Sequence, residues 1–232
     1  MERKLRTPAR GAHAHDQIRG DIIMGRWKPG ERLQMNALAQ HYATSTTVIR
    51  EALTRLTGEN FVVFEPNRGF FVPMLSMREL RDLTEVRCVT EKLGIELAIQ
   101  RGDLGWESEL IAAHHQLSRT PRRGADDPDH IAEAWAQAHA TFHAKLIAAC
   151  NVPVLIGFAR QLSNSTELYR RWAAPSTAAE SRDVENEHAE ILAATLARDA
   201  ELAAELLRRH YETTIDVVFA SGLVQEVQHA EP

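Results

Sequence analysis

The chain has 232 residues, 44% of them apolar and 25% charged, with a formal net charge of −5. That length exceeds one typical domain, and the apolar fraction suffices for a buried core in each of two. No stretch approaches the roughly 18 apolar residues of a membrane span, and the start MERKLRTPARG carries charge with no apolar run behind it, which excludes membrane-embedded classes. Cys88 and Cys150 lie in helical patterns without a CxxC neighbour, so a disulfide framework is excluded and a reduced, cytoplasmic compartment is expected. Charge then divides the chain: residues 1–74 hold 11 Lys/Arg against 7 Asp/Glu, and residues 75–232 hold 16 against 25, so the halves sit at +4 and −9. A basic N-terminal module of residues 1–74 and an acidic module of residues 75–232 follow as the expected domains.

In the basic module the first helix is expected over residues 13–25, with Ile18, Ile22 and Ile23 at helical spacing, before Pro29-Gly30 forms a corner. Leu33, Met35, Leu38 and Ala39 supply the apolar side of a second helix, and Ala43-Thr44-Ser45 forms a turn. Ser45 caps a third helix over residues 46–57, whose Val48, Ile49, Ala52, Leu53 and Leu56 pack inward. Thr46, Thr47 and Arg50 are left facing out, where short hydroxyls and a forked guanidinium can meet bases or phosphates. Strands over 61–64 and 70–72 flank a hairpin tip that presents Arg68 and the flexible Gly69, a wing that can enter the minor groove. The order spells a winged helix-turn-helix, which places a short helix in a major groove. The bland alternative pairs Arg50 with a surface carboxylate and leaves Arg68 as a solvated turn residue.

From Met77 onward the pattern is helical, with six segments expected near 77–101, 106–119, 129–149, 152–174, 180–197 and 199–221. Residues 119–128 read as a mobile surface loop, and the tail after Gly222 as fraying. The fold class is therefore mainly α: a winged helix-turn-helix with a small β wing, followed by an antiparallel six-helix bundle.

Four histidines stand on the inner faces of these helices. His139 and His143 lie one turn apart beside Trp135 and Phe142, His188 lies between Val184 and Ile191, and His210 lies among Leu206, Leu207 and Val217. Neutral imidazoles converging from facing helices can hold zinc, nickel or copper, whereas a single histidine on an apolar face is more often a core residue with a satisfied nitrogen. Glu187, beside His188, is expected to point off that inner face. Arg87 occupies the stripe of Leu80, Leu83, Gly94 and Ala98 and requires an anionic partner, either Glu91 one turn along or a ligand.

Through PGERL, TSTTVIREALTRL and PNRGFFV, in that order, the N-terminal module resembles the GntR family of bacterial regulators. The family commonly has Arg and Pro where this chain has Thr46 and Val48, and a turn glycine where it has Ala43, so a different base preference is implied. Residues 80–223, through LTEVRCVTEKLGIELA, HATFHAKLIAACNVPVL and EHAEILAATLARDAELAAELLRRH, are similar to the FCD ligand-sensing domain of the FadR branch, with the VanR-type subgroup suggested by helix number. That resemblance implies a divalent metal held by an aspartate and three histidines. His143, His188 and His210 fall on the histidine positions, and His139 falls where the aspartate is usual, which shifts the expected metal toward zinc or nickel and away from manganese. It also implies that Arg87 receives the carboxylate of an organic-acid effector beside the metal, and that the protein is a homodimer on a short palindromic operator in double-stranded DNA.

The leading expectation is thus a non-enzymatic transcriptional regulator whose helical domain senses a small carboxylate. A metal-dependent hydrolase or oxygenase fused to a DNA tether is the competing class, opposed by the absence of HExxH and of Gly-x-Ser-x-Gly. A third alternative keeps the metal purely structural.

Overall fold

The computed structural model describes residues 7–224, with side chains described from residue 12. The described residues fall into two compact units that divide between Leu75 and Ser76.

The first unit opens on helix α1 (Thr7–Ile23), which starts earlier than the apolar spacing alone implies. Its Ile18 and Ile22 are fully buried, together with Leu38, Ile49, Leu53 and Leu56 from the next two helices. Strand β1 (Arg32–Leu33) leads into α2 (Met35–His41) and α3 (Thr46–Gly58). The turn between these helices passes through Ala43 at φ 49°, a left-handed backbone that favours glycine. Strands β2 (Val63–Glu65) and β3 (Gly69–Phe71) form the wing, and β1 joins them in a three-stranded antiparallel sheet of order β1-β3-β2. Pairing sets Leu33 opposite Phe70 and Glu65 opposite Gly69. The expected strand start at residue 61 shifts to Val63, because Phe61 and Val62 are buried side by side and serve as core beneath the wing instead of alternating across a sheet.

In the second unit α4 (Met77–Arg101) packs along α11 (Ala200–Ala220), and α5 (Leu104–Arg119) packs along α6 (Glu133–Ala148). Between α5 and α6 runs a hairpin of β4 (Arg123–Gly124) and β5 (Asp127–Ile131) where the sequence suggests a mobile loop. Pro128 within β5 and the lack of apolar alternation conceal it, and each strand is tied to the rest of the unit: Arg171 donates to Ile131 O at 2.8 Å, and the hairpin's own Arg123 donates outward to Ala174 O at 2.5 Å. The segment expected as one helix over 152–174 is two, α7 (Pro153–Ser165) and α8 (Glu167–Ala173), meeting at Thr166. There the Thr166 hydroxyl donates back to Ser163 O at 3.0 Å and accepts from Arg170 at 2.7 Å, local bonds that favour a bend over a straight helix. A short α9 (Thr177–Ser181) precedes α10 (Val184–Leu196), so the expected helix start at 180 moves to the Asp183 cap, whose carboxylate accepts from Asn186 N at 3.1 Å. Ile95, Leu110, Phe142, Leu146 and Ile191 are buried at the centre. Of the tail expected to fray, residues 225–232 lie outside the described residues. No helix among the described residues is long and apolar enough to cross a membrane. Both cysteines are free, Cys88 half-buried and Cys150 buried.

Candidate functional site

The sequence singles out two surfaces, one in each unit. In the first, Ser45 has extended backbone and its hydroxyl accepts from Val48 N at 3.3 Å, which closes the N-terminus of α3 as expected of a cap. Thr46, Thr47 and Arg50 are exposed on the first turns of α3, while Ile49, Ala52, Leu53 and Leu56 on the opposite face are buried. At the wing tip Gly69 has φ 103°, and Arg68 is exposed, paired with Glu65 three residues back and stacked 5.1 Å over the Phe71 ring. An exposed pair of this kind contributes little to stability and leaves Arg68 free to exchange its partner for a phosphate.

In the second unit the fold brings His139, His143, His188 and His210 together. All four are buried, and each offers a ring nitrogen such that the four atoms lie within 4.8 Å of one another. The Nε2 atoms of His143 and His188 are 3.4 Å apart, close to the roughly 3.4 Å edge of a tetrahedron with zinc–nitrogen bonds of about 2.0–2.1 Å. Two of the rings are oriented by partners on their other nitrogen. His210 Nδ1 lies 2.6 Å from Glu187 Oε2, and His143 Nδ1 lies 3.0 Å from the Tyr211 hydroxyl, which itself donates to Glu91 at 2.5 Å. Because the tyrosine proton goes to Glu91, the His143 proton belongs on Nδ1; Glu187 sets the same tautomer on His210. Each then turns an unprotonated Nε2 toward the cluster, the form a metal ligand requires.

Charge in the cluster favours the same state. Burial, and then the neighbouring imidazoles, hold His139, His143 and His210 well below the usual histidine value. His188 is pushed down to about 3, chiefly by burial, against the opposing pull of Glu187. Four neutral imidazoles are a borderline-soft donor set that suits zinc or nickel.

Arg87 does find the internal partner that the sequence allowed. Its Nε donates to Glu91 Oε1 at 2.6 Å, while Nη1 reaches Thr166 at 3.2 Å and Nη2 reaches Ser163 at 3.3 Å and Tyr211 at 3.2 Å. Burial alone would lower its pKa, but the Glu91 carboxylate more than offsets that and holds the cation. Arg87, Glu91, Tyr211 and His143 thus form one hydrogen-bonded chain that ends at the histidine cluster.

The placement of Glu187 corrects the sequence reading. It reaches across to His210 and is gripped by Arg182 at 2.8 and 2.6 Å, where an outward-pointing side chain was expected. On a helix neighbouring residues differ by about 100°, so Glu187 flanks the inner face instead of opposing it, and α11 passes close enough to receive it. Tyr211, which orients His143 in the same way, is also missed by the sequence, where only its position directly after His210 marks it.

Comparison with known proteins places both units. Residues 82–213 match the model of the FCD domain, and residues 10–72 match that of the bacterial regulatory proteins of the gntR family. The chain is 36% identical over 209 residues to the HTH-type transcriptional regulator BphR of Paraburkholderia xenovorans, covering 90% of this chain and 85% of that one. It is 31% identical over 204 residues to the HTH-type transcriptional repressor GlaR of Escherichia coli, covering 87% and 92%. In fold it is similar to the solved structure of E. coli McbR/YncC, with a TM-score of 0.70 at 23% identity over 92% of this chain and 98% of that one. The chain therefore belongs to the GntR family of bacterial regulatory proteins, as a DNA-binding transcriptional regulator that joins a winged helix-turn-helix to an FCD domain.

Proposed function

We propose that this regulator is a cytoplasmic homodimer of the FadR branch, VanR-type, whose FCD domain senses a small carboxylate beside a divalent metal and so modulates operator binding. The observation that carries the metal is the set of four buried, neutral ring nitrogens within 4.8 Å, two of them oriented from behind by Glu187 and Tyr211. His139, His143, His188 and His210 would hold the ion, zinc or nickel by preference. Such an ion supplies a Lewis-acidic position for a carboxylate oxygen. Arg87 would take the effector's carboxylate, because its two Nη groups are held only by neutral hydroxyls that a carboxylate outcompetes. Its bond to Glu91 and Tyr211 gives that exchange a route to His143.

Ser45, Thr46, Thr47 and Arg50 would read one half of a palindrome in the major groove, with Arg68 and Gly69 at the minor groove. The effector needs only to bind one arrangement of the dimer better than another, a coupling of about 1–3 kcal/mol in typical cases.

A purely structural metal is the second reading, favoured by the ion pair that already satisfies Arg87 Nε. Elemental analysis of untagged protein purified without chelator, followed by titration with organic acids, separates the two. One equivalent of metal and saturable binding of an acid that Arg87→Ala abolishes supports the sensor. Metal without any acid binding supports the structural ion. No metal, and none taken up on titration, returns the histidines to the core.

A further inference from the structure

In the DNA-binding unit Arg26 pairs with Asp21 and Arg68 with Glu65, whereas the exposed side chain of Arg32 has, among the described residues, neither a hydrogen bond nor an ion pair. Its place is fixed all the same. β1 sets Arg32 opposite Phe71 of the wing, and alternation along the strand buries Leu33 while Arg32 and Gln34 stay on the outer side. From there the guanidinium reaches the wing tip: a Cβ built on Gly69 would stand 3.7 Å from Arg32 Nη2 and 3.8 Å from its Nε. The lack of a side chain at Gly69 leaves that space to the cation.

A cleft of about 270 Å³ opens at this point between the start of α2 and the wing, lined by Arg32, Gln34, Asn36 and Gly69. Gln34 and Asn36 are exposed, and neither amide side chain has a hydrogen-bond partner among the described residues. The geometry of a duplex says what would pass there. In a helix-turn-helix the recognition helix enters the major groove while the helix before it crosses the backbone. With α3 in the major groove and the wing tip in the adjacent minor groove, one sugar-phosphate strand must run between them, because each strand separates a major from a minor groove. The cleft, bounded by α2 on one side and the wing tip on the other, faces that strand. Arginine, glutamine and asparagine are all common donors to phosphate oxygens.

We propose that Arg32 is a further DNA-contacting residue, which with Gln34 and Asn36 binds a phosphate of the strand passing between α3 and the wing. This rests on the docking of α3 and the wing given above and adds to it a backbone contact outside both elements. A phosphate there satisfies the unpaired guanidinium and releases condensed counterion from the duplex, so the contact adds affinity and fixes register without preferring any base.

Fluorescence anisotropy of the full-length protein tests this on its preferred duplex, found by selection from random DNA, and on a random duplex. Arg32→Ala should weaken binding to both by about 3- to 10-fold and lower the salt slope by about 1. Arg32→Lys should keep most of the affinity, because a phosphate also accepts a point charge. Scanning the preferred duplex with neutral methylphosphonate linkages then locates the contact: one linkage in each half-site should weaken the wild-type protein and have no further effect on Arg32→Ala. A loss confined to the preferred sequence, or methylphosphonate effects that add to Arg32→Ala at every linkage, would overturn the proposal. So would unchanged binding by Arg32→Ala while Arg50→Ala still loses affinity for the preferred sequence, a result that leaves the docking intact. Unchanged binding by Arg50→Ala and Arg68→Ala would remove the docking, and the phosphate contact with it.

Discussion

Glu187 carries more of the candidate site than its surface-like sequence context suggests. Its carboxylate stands between Arg182 and His210 and so fixes both the ring orientation and the tautomer of a ligand it does not itself replace. Partners of this type typically alter metal affinity by about 10- to 100-fold. Glu187→Ala should accordingly weaken zinc binding by about that factor, with His188→Ala more damaging; competition with a chromogenic chelator measures both, and an unchanged affinity would reduce Glu187 to a salt-bridge residue. At Ala43 the residue-scale argument concerns strain. The family resemblance implies a glycine at this position, and the backbone there is left-handed at φ 49°. A Cβ in that region costs about 1–2 kcal/mol, and glycine's greater freedom in the unfolded chain returns a part of that. Ala43→Gly should raise the stability of the DNA-binding unit by about 0.5–1 kcal/mol, seen as a higher denaturation midpoint.

Among the elements, those whose apolar positions repeat at helical spacing were readable in the sequence, and those held by polar side chains were not. α3 follows from Ser45 and the buried Ile49, Leu53 and Leu56, and α4 and α11 follow from their long stripes. The β4-β5 hairpin depends on Arg171 and Arg123 reaching carbonyls far along the chain, which no local period records, and the bend at Thr166 depends on polar bonds to Ser163 and Arg170 that apolar spacing does not show. The candidate site divides the same way. Four inward histidines were legible from periodicity, whereas their convergence, and the supports at Glu187 and Tyr211, required α6, α10 and α11 to be placed in space. On the DNA-reading side, helix and wing should behave differently because they present different chemistry. Arg50→Ala, on the exposed face of α3, should cost roughly 1–3 kcal/mol on the preferred sequence and little on random duplex. Arg68→Ala should weaken both and flatten the salt dependence. Fluorescence anisotropy at several salt concentrations distinguishes them, and equal losses on specific and random DNA for Arg50→Ala would remove it from base reading.

At the scale of the whole molecule, a buried cluster of neutral bases links the stability of the FCD unit to pH. An unfolded chain offers four imidazoles near the usual value of 6.5, whereas the folded unit holds three of them well below it and His188 at about 3. Below pH 6.5 the unfolded state therefore binds more protons than the folded one, so stability is complete above that value and is lost as pH falls toward the folded values. The loss amounts to at most about 1.4 kcal/mol per histidine for each pH unit. Glu167, which burial would raise but Arg170 and Arg171 hold down at about 2, adds to the loss only below its ordinary value of 4.5. Against a typical folding reserve of about 5–15 kcal/mol, four histidines remove at most about 8 kcal/mol by pH 5, so a metal-free unit in the lower part of that range should unfold there, ahead of the carboxylates. Far-ultraviolet circular dichroism of chelator-treated protein should show that midpoint, and a neutral replacement such as His139→Gln should shift it to lower pH by removing one proton-binding site from the unfolded state. Zinc should raise stability at pH 7 and lose its effect as pH falls, since protons and metal compete for the same nitrogens. A metal-free unit that stays folded to about pH 3, where only carboxylates titrate, would mean that the four rings are not held neutral together and would withdraw the electrostatic support for a metal site.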